Sequence, residues 1–125
     1  MGTKMEMLFD GGKRKALTLS YDDGTIHDRR LVAMMNEYGI RGTFNLNSGM
    51  FSQKGTAVIN GYETDMSRIA AEEVKTLYAG HEVASHTLTH PSLTALPSNM
   101  GAAEVLKDRK NLEELTGELV RGFAY

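Results

Sequence analysis

Apolar and polar positions alternate strictly from Lys15 to Tyr21, with Leu17, Leu19 and Tyr21 on one face and Ala16, Thr18, Ser20 and Asp22 on the other. A period of two is that of a strand, here with a bulky side and a small side. Thr25-Ile-His-Asp28 has the form of a capping box with Asp in place of Glu, and Leu31, Met34, Met35 and Tyr38 behind it predict a helix ended by Gly39. Arg41 to Asn47 returns to period two, with Phe44 and Leu46 set against Thr43, Asn45 and Asn47. A glycine-bearing loop is expected over 48–66, with a short strand at Ala57 to Ile59. Val74, Leu77 and Tyr78 predict a second helix over 70–79 that stops at Gly80, and a third strand follows over 82–86. After a loop over 87–97, Val105, Leu112 and Leu115 mark a third helix over 100–116 before Gly117. Leu119 to Tyr125 reads as a fourth strand.

Strands alternating with single helices indicate βα units and a parallel sheet. The bulky-face and small-face split suits barrel strands with helices packed outside, and an open doubly wound sheet is the alternative. Pro91 and Pro97 are the only prolines and no repeat appears, so residues 1–125 read as one unit. About four strands cannot close a barrel whose bulky residues, Leu17, Leu19, Phe44 and Leu46 among them, face an outer helix layer. The chain is therefore expected to be an incomplete barrel that associates with a second copy through its exposed edges.

Composition narrows the chemistry. The 125 residues are 41% hydrophobic and 24% charged, values of one globular domain. With 14 Lys+Arg against 16 Asp+Glu the net charge is -2, and the longest cationic run is Lys13-Arg14-Lys15, so nucleic acid is not an expected partner. No apolar run approaches the roughly 18 to 20 residues of a membrane span, and Met1 to Glu6 has no apolar leader region, so the sequence as it stands reads as cytoplasmic, with an extracytoplasmic location open only if a leader has been trimmed. Cysteine is absent, so a metal would have to be held by His and carboxylates. Ser20-Tyr-Asp-Asp-Gly-Thr25 has one glycine where a dinucleotide fingerprint has three, and there is no P-loop, which disfavours nucleotide cofactors.

Two clusters could carry chemistry. Asp22-Asp23-Gly24 ends the first strand; taken alone it reads as a turn, but adjacent carboxylates at a strand end point different ways, so one can bind a metal while the other faces a reacting water. His86 and His90 leave the third strand at the same end, four residues apart. One helical turn would put both imidazoles on one side, although Pro91 biases His90 out of the helical region. His27 and His81 read as solvated polar residues. Both clusters end parallel strands on the face where βα enzymes place their sites. Asp23, His86 and His90 would supply one oxygen and two nitrogens and leave a position open for water, a catalytic rather than structural zinc arrangement. Arg121 on the fourth strand would reach the same face if its side chain alternates inward, and would hold Asp22 ionised and oriented.

These residues resemble the polysaccharide deacetylases with the NodB-type domain, carbohydrate esterase family 4. The family's first motif, Thr-Phe-Asp-Asp-Gly, is similar to Ser20-Tyr-Asp-Asp-Gly24; its second, His-Ser/Thr-x-x-His, is matched by His86-Thr87-Leu-Thr-His90. Its third begins Arg-x-Phe, as Arg121-Gly-Phe123 does, but Ala124 stands where many members carry a second Arg. Arg41-Gly-Thr-Phe44 and Gly80-His-Glu-Val-Ala-Ser85 also look like the family's second strand and the approach to its histidines.

The resemblance implies a distorted (β/α) barrel of which this chain is the N-terminal part, at roughly half the family length in the barrel-size range. It implies a metal-dependent hydrolase that removes N-acetyl or O-acetyl groups from a carbohydrate such as an N-acetylglucosamine polymer. Asp22 is then the catalytic base, Asp23, His86 and His90 the ligands of a divalent ion, expected to be zinc, Thr87 the residue that steadies the histidine loop, and Arg121 the residue that orients Asp22. The family's catalytic-acid histidine falls in motifs beyond Tyr125. A non-catalytic, metal-dependent carbohydrate-binding protein is the competing reading.

Overall fold

The computed structural model describes residues 6–125; apart from Glu6, the N-terminal segment read above for a leader lies outside them. Three short strands form a parallel sheet: β1 (Ser20–Asp22), β2 (Thr43–Leu46) and β5 (Glu82–Ser85), in the order β1-β2-β5. Tyr21 pairs with Phe44 and Phe44 with Val83, while Asp22 pairs with Asn45 and Asn45 with Ala84. Helix α1 (Asp28–Glu37) joins β1 to β2. The link from β2 to β5 carries an antiparallel hairpin, β3 (Thr56–Ile59) with β4 (Tyr62–Asp65), then a 3₁₀ turn at Ala71–Glu73 and the single-turn helix α2 (Val74–Leu77). After a second 3₁₀ turn at Leu93–Ala95 comes the long helix α3 (Ser98–Thr116). The α/β class and the parallel sheet agree with the sequence reading, and the described strands do not close a barrel. None of the described helices is long and apolar enough to cross a membrane.

The bulky face of β2 organises the core. Phe44 and Leu46 are fully buried in one cluster with Val32 and Met35 of α1, Ile69, Val74 and Tyr78 around α2, Leu112 of α3, and Val120. The Phe44 ring lies 4.7 Å from that of Tyr78 and 5.8 Å from that of Tyr21. At about 25 cal/mol per Å² of apolar surface, each such large side chain contributes roughly 2–3 kcal/mol by leaving water.

Several boundaries differ from the pattern-based expectation. Only the last part of the Lys15–Tyr21 alternation is strand, because β2 offers a partner no earlier than Gly42 and Thr43, whose amide reaches the Leu19 carbonyl at 2.9 Å. Leu17, expected to face a helix layer, is 85% exposed. The hairpin replaces most of the expected loop: Asn60 and Gly61 both have positive φ, the geometry of the tight turn that Asn-Gly favours. Thr25 does not cap α1; its carbonyl accepts the Asp28 amide at 3.0 Å, and Asp28 turns inward to accept the Tyr78 hydroxyl at 2.6 Å. The segment read as a fourth strand lies along β5 but is held by two backbone hydrogen bonds, Ser85 N to Gly122 O at 3.0 Å and Ala124 N to Ser85 O at 2.9 Å, a single parallel bridge rather than a ladder. His81 is half-buried rather than solvated, its Nδ1 accepting the Gly42 amide at 3.2 Å and its Nε2 lying 3.0 Å from Asn36 Oδ1.

The buried Asp28 gives a pH test. Burial raises its carboxyl above the ordinary value of 3.8, against the Tyr78 hydrogen bond, which lowers it. A carboxyl whose folded pKa is raised costs stability as pH climbs from below its unfolded pKa through the folded one. Asp28→Asn keeps an acceptor for Tyr78 without the charge. It is expected to match the wild type in thermal unfolding at pH 3 and to exceed it by a few degrees at pH 7; an equal gap at both pH values would contradict this.

Candidate metal and catalytic centre

The ladder runs one residue past each strand and carries the functional side chains with it. Asp23 N donates to Asn45 O at 2.9 Å on one side of β2, and His86 N donates to Leu46 O at 3.0 Å on the other. Asp23 then takes φ 82° and Gly24 φ 62°. A Cβ on Gly24 would stand 2.9 Å from Leu46 Cδ2, so glycine lets this turn lie directly on the core. The histidine loop is not a helical turn. Thr87 (φ 68°) and His90 (φ 56°) are both left-handed, and Pro91 disfavours the right-handed helical region at His90. The two imidazoles still converge, with ring centres 4.8 Å apart.

Asp23, His86 and His90 therefore meet: one ligand atom from each lies within 4.8 Å of the others. Asp23 Oδ1 is 3.8 Å from His86 Nε2 and 3.5 Å from His90 Nε2. His86 Nδ1 lies 3.1 Å from the Ala124 carbonyl, an acceptor only, so Nδ1 carries a proton and Nε2 is the nitrogen on the Asp23 side. Asp23 Oδ1 is itself buried without a hydrogen bond. Arg68 Nη1 comes within 3.1 Å of it, but the hydrogen bond from Nη1 goes to the Asp23 backbone carbonyl. A buried carboxylate oxygen that makes no hydrogen bond and faces two imidazole nitrogens fits a divalent cation.

Asp22 has other partners than Asp23. It is exposed, and its Oδ1 accepts the Asn45 amide Nδ2 at 2.7 Å; the same Nδ2 lies 2.8 Å from Ser20 Oγ. Arg121 is exposed as well, and among the described residues it makes no ion pair or hydrogen bond with Asp22. The contact to Asp22 expected of Arg121 is made by Asn45, and Arg68 lies against Asp23. Thr87 is buried, and its carbonyl and that of His86 both accept from Asn47 Nδ2, at 2.9 Å in the case of Thr87.

Helix α3 supports the site from behind. Asp108 is 0% exposed and accepts Ser48 N at 2.6 Å, Ser85 Oγ at 2.6 Å and His86 N at 3.1 Å. Burial raises its carboxyl and those three hydrogen bonds lower it. Asn45 and Asn47 stand on the small face of β2 already evident in the sequence, and Asp108 interrupts the apolar stripe of Val105, Leu112 and Leu115. Those are readable signals. Arg68 lies in a connecting segment with no pattern to mark it.

The polysaccharide deacetylase profile matches residues 10–125. The chain belongs to the polysaccharide deacetylase family. Solved structures with the same fold include a Streptococcus pyogenes deacetylase, PplD, crystallised with acetate, at 19% identity and TM-score 0.74, covering 90% of this chain and 46% of that one. IcaB from Ammonifex degensii follows at 22% identity and TM-score 0.69, covering 86% of this chain and 48% of that one. A CE4-family pseudoenzyme from Bacillus anthracis matches at 21% identity and TM-score 0.64, covering 85% of this chain and 33% of that one. This deacetylase-family chain thus spans half or less of the length of these structures. No curated relative matches its sequence.

Asn47 supplies the prediction for this region. Asn47→Ala leaves the buried His86 and Thr87 carbonyls without their donor and is expected to cost about 2–3 kcal/mol in urea denaturation. Asn47→Asp, which cannot donate, is expected to cost at least as much. A loss below about 0.5 kcal/mol in both variants would show that Asn47 does not hold the loop.

Proposed function

We propose that these residues form the metal-binding and general-base part of a site that hydrolyses acetyl groups from a carbohydrate, an N-acetylglucosamine-containing polysaccharide being the leading candidate. The observation that carries this reading is the convergence of Asp23, His86 and His90 beside an exposed Asp22 that Asn45 holds from below. The two nitrogens, one oxygen and lack of cysteine favour zinc among divalent ions. A divalent ion held there supplies Lewis-acid polarisation of the acyl carbonyl.

The protein's own groups do the rest. Asp22 is placed to take a proton from a water, and its hydrogen bond from Asn45 leaves one carboxylate oxygen free for that water. His86 presents Nε2 because Ala124 fixes its tautomer. Arg68 holds the Asp23 backbone carbonyl and lies 3.1 Å from Oδ1, the oxygen that also faces the two imidazoles. The competing reading, a protein that binds a carbohydrate through the metal without turnover, keeps the same three ligands and differs only in lacking acetate release. The similarity to a family pseudoenzyme gives that reading a structural counterpart.

Asp22→Asn and Asp23→Asn separate the roles. In a polypeptide carrying these residues within a family-length domain, Asp22→Asn is expected to bind zinc as the wild type does while acetate release from N-acetylglucosamine oligomers falls by at least about 10²-fold. Asp23→Asn is expected to weaken zinc binding itself. Zinc binding with no acetate release by the wild type would favour the carbohydrate-binding reading, and exchanged phenotypes would overturn the assignment of the two carboxylates.

A further inference from the structure

Three polar side chains of α3, Glu104, Asp108 and Asn111, are spaced four and three residues apart and therefore lie on one helix face. All three bond to loops at the carboxyl end of the sheet. Glu104 accepts both groups of Thr89, the amide at 2.8 Å and the hydroxyl at 3.0 Å, and its own carbonyl accepts the Leu88 amide at 3.2 Å. Asp108 accepts Ser85 Oγ, His86 N and Ser48 N. Asn111 donates to Ser48 Oγ at 3.1 Å. Besides Ser48, the residues gripped by Glu104 and Asp108 are 85, 86, 88 and 89, from the last residue of β5 to the residue before His90. Past His86, whose amide makes the last ladder bond, the loop has no helix or strand hydrogen bonding, and Thr87 and His90 have positive φ. Its shape must come from outside.

We propose that Glu104 and Asp108 are positioning residues for the two histidines: α3 acts as a rigid template that sets His86 through Asp108 and His90 through Thr89 and Glu104. This inference rests on the metal reading for its main readout. Neither residue touches the ion site, and each acts by fixing backbone whose shift would move an imidazole nitrogen. Partners of this kind behind metal ligands typically carry 10- to 100-fold in metal affinity.

The test is Co²⁺ titration of the 125-residue chain, followed by visible absorbance, together with thermal unfolding and ¹⁵N spectra of the imidazoles. Glu104→Ala, at a partly exposed position, is expected to fold with nearly unchanged Tm yet bind Co²⁺ at least tenfold more weakly. Asp108→Asn is expected to lose affinity at least as far. Leu112→Ala on the same helix removes a fully buried side chain of the apolar core; it is expected to lower Tm clearly while affinity stays within twofold. Wild-type affinity in Glu104→Ala, or an equal loss in Leu112→Ala, overturns the proposal; if Asp108→Asn does not fold, Glu104→Ala decides. Should the wild type bind no Co²⁺, the metal reading fails, and the imidazole spectra decide the positioning role alone. The wild type is expected to show His86 as one Nδ1–H tautomer and Asp108→Asn a mixture, whereas identical spectra for wild type and both variants overturn it.

Discussion

Thr43 to Leu46 has a parallel partner on each edge, and from that pairing the rest of the molecule follows. Neighbouring strands lie about 4.8 Å apart, so β1 and β5 are roughly 10 Å apart across β2. Their ends cannot touch while they remain strands. The gap closes because the ladder on each side extends one residue further, to Asp23 and His86, and because Asp23, Gly24, Thr87 and His90 then leave the extended region for positive φ. A parallel register that brought β1 and β5 level with different residues of β2 would separate the carboxylate from the imidazoles by about 3.3 Å for each residue of slip.

That arrangement carries a cost in buried polar groups, met by hydrogen bonds from beneath the site. Asn45, Asn47, Ser85 and Asp108 are all buried at or behind the carboxyl end of the sheet. Each has at least one partner, and the chain of contacts ties β2, β5 and α3 to the histidine loop. Replacing such groups by apolar ones would remove the desolvation cost but also contacts that define a loop without secondary structure. The opposite face of the same strand does the conventional work: Phe44 and Leu46 gather the three helices and the Ile69 segment into one apolar cluster. The period-two pattern of β2 thus separates stability from function across a single strand.

Charge around Asp23 shows the same economy. Arg68 reaches in from the segment after the hairpin and binds the Asp23 carbonyl, while the adjacent Oδ1 keeps no hydrogen bond and faces two neutral-capable nitrogens. The guanidinium, 3.1 Å from Oδ1, offsets the carboxylate charge. Asp22, one residue earlier, is exposed and held by Asn45, so neighbouring carboxylates have distinct surroundings.

The local pattern of the chain determined which segments pair and which turn. Alternation identified β2, a place directly after Gly80 identified β5, the apolar spacing identified α1 and α3 to within two or three residues, and the Asp-Asp-Gly and His-x-x-x-His spacings identified the three residues that converge as Asp23, His86 and His90. These features are local, since side-chain period and φ preference are properties of a few neighbouring residues. Tertiary structure alone decided the rest. Leu17 alternates as a strand residue but has no partner strand beside it; Asp28 sits where a cap would and instead satisfies Tyr78; the segment around Arg121 runs parallel to β5 yet makes one bridge, and its arginine stays apart from Asp22. Arg68, Glu104 and Asp108 reach the site across 45, 15 and 22 residues of sequence respectively. No local spacing encodes such contacts, because they exist only once the sheet has set the distance between its strands and α3 has packed beside β5.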